Sequence, residues 1–329
     1  MKIVFLDSKT LGDDIDLSAV YELGDVCINE NTPQTEVKNK ILDADVVVLN
    51  KLKLNESNLS SARNLKLICV TATGYDNIDI EYCKSRNIAV CNVVGYSSNS
   101  VAQLTAALAL SLYTNLSDYT EYVNNGSYTK SGVANKLTPV YREMSGKIWG
   151  VVGLGGIGRQ VANIASALGC KVIAYKRTPD NTIPCCNLHY LFEKSDIISL
   201  HLPLSEETKG IIDKNLIASM KKDAILINVA RGAITDEKAL AQAVLENKIG
   251  GIGVDVYSEE PFLENHPFYK LLGNKKALLT PHMAWGAYES RQRCLDEVIE
   301  NIKSFIKGGT KNRLDIWKYC SKLLAAVFF

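Results

Sequence analysis

The chain has 329 residues, 47% hydrophobic and 22% charged, with a formal net charge of +1. This composition suits a soluble globular protein with room for two cores, and it excludes a nucleic-acid or acidic-membrane partner held by bulk charge. No apolar run reaches the roughly 20 residues of a membrane span, and the nine cysteines show no metal-ligand spacing, so free thiols and a cytoplasmic location are expected.

The N-terminal run Met1–Asp7 reads as a first strand and is too short for a signal peptide. Ile3–Leu6, Val46–Leu49, Leu67–Val70 and Ala89–Cys91 are further short apolar runs, most rich in β-branched residues, and Asn31–Leu42 between them has helical character. Strands alternating with helices predict a parallel sheet over residues 1–98. Val101–Leu116 predicts a long buried helix, and residues 117–145, which hold Gly126 and Pro139, predict an irregular excursion. A second α/β domain is expected over residues 99–286. Its strands are Ile148–Val152, Lys171–Tyr175, Asp196–Leu200, Ala224–Asn228, Gly251–Val256 and Ala277–Leu279, with a helix over Asp236–Asn247. Residues 287–329 hold a helix, Tyr288–Phe305, expected to return to the first domain and make it discontinuous. The apolar end Leu323–Phe329 has no functional reading. The expected fold class is thus α/β, with two parallel-sheet domains.

One stretch organises the second domain. Strand Ile148–Val152 runs into Gly153-x-Gly155-x-x-Gly158, a helix follows from about Ile157 to Leu168, and Lys171–Tyr175 closes a βαβ unit. The first glycine permits a tight turn, the second lets the backbone approach a pyrophosphate, and the third lets helix and strand pack closely. The helix N-terminus adds free N–H groups and a positive dipole end. A dinucleotide site of the Rossmann kind is therefore predicted. Ligands of such sheets lie outside the carboxyl ends of the strands. Three charged or titratable residues fall at predicted strand ends, each near a turn-former: Arg231 by Gly232, Glu260 by Pro261 and His282 by Pro281. Arginine can hold an α-keto carboxylate bidentately. A protonated histidine can hand a proton to a carbonyl oxygen as hydride reaches the carbon, and a carboxylate beside it would orient it and favour its charged form.

With these residues in view, the chain resembles the D-isomer-specific 2-hydroxyacid dehydrogenase family over nearly all of residues 1–308. The resemblance rests on Thr73-Gly-Tyr-Asp-Asn-Ile-Asp79, Ser100-Val-Ala-Gln103, Gly153-Leu-Gly-Gly-Ile-Gly158 and His201-Leu-Pro-Leu-Ser-Glu-Glu-Thr208. It continues through Asn228-Val-Ala-Arg-Gly232, Asp255-Val-Tyr-Ser-Glu-Glu-Pro261 and Thr280-Pro-His-Met-Ala-Trp285. The resemblance implies a flavodoxin-like substrate domain beside the Rossmann domain, usually in a homodimer formed through the nucleotide domain. It implies that Arg231 binds substrate, Glu260 pairs with the histidine, and His282 is the acid/base. Cofactor contacts are implied for Gly153, Gly155, Gly156, Ile157, Gly158, His201, Pro203, Thr208, Val229, Ala230, Arg231, Asp255 and His282, with Asp255 meeting the nicotinamide carboxamide. The backbone amides of Ala72, Thr73 and Gly74 would receive the substrate carboxylate, and Lys51 and Trp285 would also face substrate.

Asn50-Lys51 and His282-Met-Ala-Trp285 look most like glycerate dehydrogenases, the hydroxypyruvate or glyoxylate reductases. One departure concerns the cofactor. NAD-binding folds place an acidic residue about twenty residues beyond the fingerprint, on the ribose hydroxyls. Here the strand ends in Lys176-Arg177-Thr178, with no acid before Asp180. A lysine and an arginine can pair with a 2′-phosphate that a carboxylate would repel, so NADPH is favoured over NADH. Other activities of the family (D-lactate, phosphite or phosphoglycerate type) and a dinucleotide-sensing, corepressor-like role stay open at this point. No metal site is expected.

Overall fold

The computed structural model describes residues 1–178 and 181–316; Asp180 and the apolar end Leu323–Phe329 lie outside the described residues. The chain divides into two compact units, residues 1–97 with 286–316 and residues 98–285. Among the described residues no helix is long and apolar enough to cross a membrane, and no group of three or more His, Cys, Asp or Glu could hold a metal ion.

In the first unit, β1 (Lys2–Phe5), β2 (Asp25–Ile28), β3 (Val46–Leu49), β4 (Leu67–Val70) and β5 (Ala89–Cys91) form a parallel sheet in the order β2-β1-β3-β4-β5, which is the flavodoxin-like arrangement. Every residue of β3 and β4 is buried, as central strands covered on both faces require. Strand β2 escapes the sequence reading because its Asp-Val-Cys-Ile run lies half exposed at the sheet edge. The helical expectation for Asn31–Leu42 shrinks to Val37–Lys40, after the turn that Pro33 begins. The helix Tyr288–Ile306 belongs to this unit. It buries Cys294, Leu295, Val298 and Ile302 along one stripe, and its Asn301 donates to Asn92 O at 3.0 Å.

In the second unit, β6 (Ile148–Val152), β7 (Lys171–Tyr175), β8 (Ile197–Leu200), β9 (Ile225–Asn228), β10 (Gly251–Val254) and β11 (Ala277–Leu279) pair in parallel in the order β11-β10-β9-β8-β6-β7. A single parallel bridge, Ala174 to Cys185, extends the sheet beyond β7, with Ala174 N donating to Pro184 O and Cys186 N to Ala174 O. Counting that bridge as a strand gives 3-2-1-4-5-6-7, the Rossmann order 3-2-1-4-5-6 with β11 added at one edge. Trp149 is fully buried on β6, its indole N–H satisfied by Ser199 Oγ at 2.9 Å.

The stretch 117–145 is not irregular throughout. The long helix Ser98–Tyr113 ends before Asn115, whose φ of +51° is left-handed, and two further helices, Leu116–Asn124 and Ser127–Ser131, follow. Neither has a buried residue, so no apolar stripe marks them in the sequence.

Candidate active site

The glycine turn sits where the strand order reverses, between β6 and β8. Gly153 takes a φ of +98°, open to glycine at little cost. Gly158 lies in the helix Gly156–Ala167, and a Cβ there would stand 2.0 Å from Gly153 O, so the turn and helix close on each other only without one. Beside Gly155 a Cβ would meet nothing within 4 Å. That open space faces a helix start capped by no side chain, with Gly156 and Ile157 offering the first N–H groups. His201 follows β8, and both its ring nitrogens are buried without a hydrogen-bond partner among the described residues. Burial pushes its imidazole down to about 3, so the ring is neutral at ordinary pH. Open space at a helix start and an orphaned neutral imidazole form a donor and acceptor set that fits a dinucleotide.

At the end of β7, Lys176 is half-buried and Thr178 exposed. Arg177 Nη1 stands 3.4 Å from Glu207 Oε2, both side chains mostly exposed. Among the described residues, an acid reaches this corner from the loop after β8. In that loop Thr208 Oγ1 donates to Pro203 O at 2.6 Å and accepts from Ser205 N at 2.8 Å, which closes the turn.

Beyond β9, Asn228 folds the next residues around itself: Ala230 N donates to its Oδ1, and its Nδ2 donates to Arg231 O, each at 3.0 Å. Val229 is buried, and Arg231 Nη1 donates to Ala230 O at 2.8 Å. After β10, Asp255 is fully buried. Its Oδ1 accepts from Thr280 Oγ1 and from Met283 N at 2.9 Å, and its Oδ2 accepts from Ala284 N at 2.8 Å. In the structure this carboxylate folds the 280–284 turn. Within that turn His282 holds a φ of +53°, unusual for a side-chain-bearing residue. Trp285 Nε1 donates to His282 O at 3.0 Å.

Glu260 and His282 meet. Glu260 Oε2 lies 2.6 Å from His282 Nδ1, and Glu260 Oε1 accepts from Tyr257 N at 3.1 Å. Tyr257, which the sequence reading passes over, also donates its hydroxyl to Thr280 O at 2.8 Å. Burial, followed by the nearby Asp255, Glu260 and Glu237 charges, pushes its phenol above the ordinary range, which keeps it a donor.

The first unit offers a different kind of surface. At the end of β1, Asp7 accepts from Asn50 N and Lys51 N, both at 2.8 Å, while Asn77 Nδ2 donates to Asn50 O and Leu52 O. Burial raises the Asp7 carboxyl above the usual carboxylate range, against the pull of the Lys51 and Asn50 amides. At the end of β4, Thr73 Oγ1 donates to Val93 O, Asn92 Nδ2 donates to Thr73 O, both at 2.7 Å, and Ala72 O accepts from Val93 N. Ala72 and Gly74 are half-buried. An acid directly after the first apolar strand, Ile-Val-Phe-Leu-Asp7, is the one sequence signal that could have pointed to Asp7.

Residues 106–284 match the family described as D-isomer specific 2-hydroxyacid dehydrogenase, NAD binding domain. The chain is 35% identical over 321 residues to the hydroxypyruvate reductase of Blautia hydrogenotrophica, covering 95% of this chain and 99% of that one. It is 33% identical over 314 residues to the glycerate dehydrogenase of Methylorubrum extorquens, covering 94% and 98%. Among solved structures it superposes on the acyclic imino acid reductase Bsp5 in complex with NADPH and D-Arg, with a TM-score of 0.83, 30% identity and coverage of 95% and 100%. A domain match over more than half its length, with relatives aligned almost end to end, places the chain in the D-isomer-specific 2-hydroxyacid dehydrogenases, oxidoreductases that act on a CH–OH group with NAD or NADP.

Proposed function

We propose that this enzyme reduces a small 2-keto acid, hydroxypyruvate or glyoxylate, to the D-2-hydroxy acid with NADPH. The observation that carries the reading is the 2.6 Å contact between Glu260 and His282, which follow the two strands that succeed the one bearing Arg231 across the sheet. Glu260 holds Nδ1 of the imidazole, so Nε2 is the nitrogen that meets the substrate carbonyl oxygen and delivers the proton. Arg231 pairs with the substrate carboxylate. A reduced nicotinamide, when bound, supplies the hydride; the carbonyl carbon gains C–H, the oxygen gains O–H, and the cofactor leaves oxidised. Lys51 and the Ala72–Gly74 amides supply further donors for the substrate carboxylate, and Trp285 an apolar wall. The relatives named hydroxypyruvate reductase and glycerate dehydrogenase support this substrate class.

The fingerprint glycines Gly153, Gly155, Gly156 and Gly158, with Ile157, hold the pyrophosphate. His201, Pro203, Thr208, Val229, Ala230 and Asp255 line the rest of the cofactor. Lys176, Arg177 and Thr178 take the 2′-phosphate, with Arg177 giving up Glu207 to do so. Leu116, Val123, Val133, Leu137, Val140 and Tyr141, all in the segment that follows the helix Ser98–Tyr113, are exposed, which supports a homodimer through the nucleotide unit.

The test is a set of initial rates with NADPH and NADH against hydroxypyruvate, glyoxylate, pyruvate and 3-phosphohydroxypyruvate. The reading expects hydroxypyruvate or glyoxylate to lead, with NADPH preferred. Absence of turnover with all four, despite saturable cofactor binding, would overturn it; an NADH preference would overturn the cofactor assignment alone.

A further inference from the structure

Outside the proposed catalytic set lies a second carboxylate–imidazole pair, and this one is buried. Glu237 sits in the first turn of the helix Glu237–Leu245, six residues beyond Arg231, and is 8% exposed. His266 Nε2 stands 3.1 Å from Glu237 Oε2 in an equally buried position. Phe268 N donates to His266 Nδ1 at 3.2 Å, so Nε2 is the nitrogen that carries hydrogen and donates to Glu237. The carboxylate also accepts from Ser258 N at 2.9 Å and from Ser258 Oγ. Three donors from the 257–268 loop therefore converge on one side chain from the Arg231 segment.

A second observation brings the same two segments together. A Cβ on Gly232 would stand 2.1 Å from Tyr257 C and 2.2 Å from Ser258 N, so the turn after Arg231 rests directly on that loop's backbone. From Ser258 the chain of contacts runs on. Tyr257 N donates to Glu260 Oε1, and Glu260 Oε2 meets His282. The rings of Tyr257, Phe262, His266 and Phe268 pack edge-on or stacked between these points and leave the loop little slack.

We infer that Glu237 is a positioning residue: with His266 as its partner, it locks the loop that carries Glu260 to the segment that carries Arg231, and so sets the Glu260–His282 contact. This rests on the proposed roles of Arg231, Glu260 and His282. Charge-assisted hydrogen bonds are short and directional, and a shift of about 1 Å at a reacting group can cost ~100-fold in rate. Glu237→Gln keeps the size but turns an N–H2 group toward either Ser258 N–H or His266 Nε2–H, donor against donor. The loop must then yield.

The experiment uses full-length protein labelled with 15N-histidine, since only four histidines are present. The Nδ1–H signal of His282 is identified by its loss in Glu260→Gln. In Glu237→Gln this signal is expected to shift or broaden, with kcat for keto-acid reduction falling about tenfold and NADPH affinity unchanged. Glu237→Asp, which keeps the charge, is expected to restore part of kcat. A wild-type His282 signal and wild-type kcat in Glu237→Gln would overturn the inference. Should that variant fail to fold, Ser258→Ala decides: it removes one donor, and a smaller shift in the same direction is expected, whereas no shift overturns the inference. Wild-type turnover in His282→Gln would instead overturn the catalytic reading.

Discussion

The two sheets follow one plan, parallel strands with the working loops at their carboxyl ends, yet they expose different chemistry. The ends of β1, β3 and β4 hold loops whose own backbone is pinned by polar side chains: the buried Asp7 and Asn92 and the half-buried Asn77. The ends of β9, β10 and β11 instead carry side chains, Arg231, Glu260 and His282, with the contact between the last two at 2.6 Å. A loop that works through backbone groups tolerates change in its own side chains but depends on a buried scaffold. Loops that work through side chains depend on those residues directly. Substitutions in the second unit should therefore act mainly on the chemical step, and those in the first on substrate affinity.

The largest effect is expected from His282→Gln, which removes the proposed proton donor and should lower kcat by about 10²- to 10⁴-fold with little change in cofactor affinity; stopped-flow or steady-state rates at saturating substrate would check this. Gly158→Ala follows. The added methyl would meet Gly153 O at 2.0 Å, and overpacking of this kind costs ~1–3 kcal/mol, read as weaker NADPH binding by fluorescence titration and a lower melting temperature. The double variant Lys176→Ala, Arg177→Ala should cut the NADPH:NADH ratio of kcat/KM by about 100-fold, from two charge-assisted contacts of ~1.5–3 kcal/mol each. Glu207→Gln, which removes one acidic neighbour of Arg177, should move that ratio the other way.

His201 gives a pH-dependent case. Its folded value, about 3, lies below the ordinary imidazole value of about 6.5. The unfolded chain therefore binds the proton more readily, so the neutral ring's contribution is complete above about pH 6.5 and is lost as pH falls toward 3, at up to ~1.4 kcal/mol per unit. Urea titrations of the wild type and His201→Gln at descending pH should show the wild type losing stability faster below that point; parallel curves would refute it. The smallest effect is expected from Asp7→Asn. The amide has one acceptor oxygen where the carboxylate has two, and the loss of about 1 kcal/mol of hydrogen bonding should raise KM for the keto acid about fivefold while kcat holds. A fall in kcat with constant KM would break the contrast between the two units.

The same contrast explains what was legible beforehand. Strands β3 and β4 are unbroken apolar runs because both faces are covered, and such runs are visible in any sequence. Strand β2 and the helix Leu116–Asn124 bury too little to leave a pattern. At the site, Glu260 and His282 stand beside prolines at predicted strand ends, so their identities could be read and their contact anticipated. Asp7 with Asn50, Asn77 with Leu52, Asp255 with Ala284 and Tyr257 with Thr280 join residues far apart in the chain or hidden under turns. Such pairings depend on how the strands are ordered, and no local periodicity encodes that order.

The bond from Trp285 Nε1 to His282 O also has an optical consequence. Trp149, sealed within β6 against Ser199, is shielded from solvent, whereas the half-buried Trp285 reports on the turn that presents His282. A Trp149→Phe, Trp317→Phe double variant would leave Trp285 as the single tryptophan, its emission followed as the nicotinamide and keto acid are added. The enzyme thus carries a native fluorophore bonded to the backbone of His282, and the shape of that turn can be watched during turnover without attaching a dye.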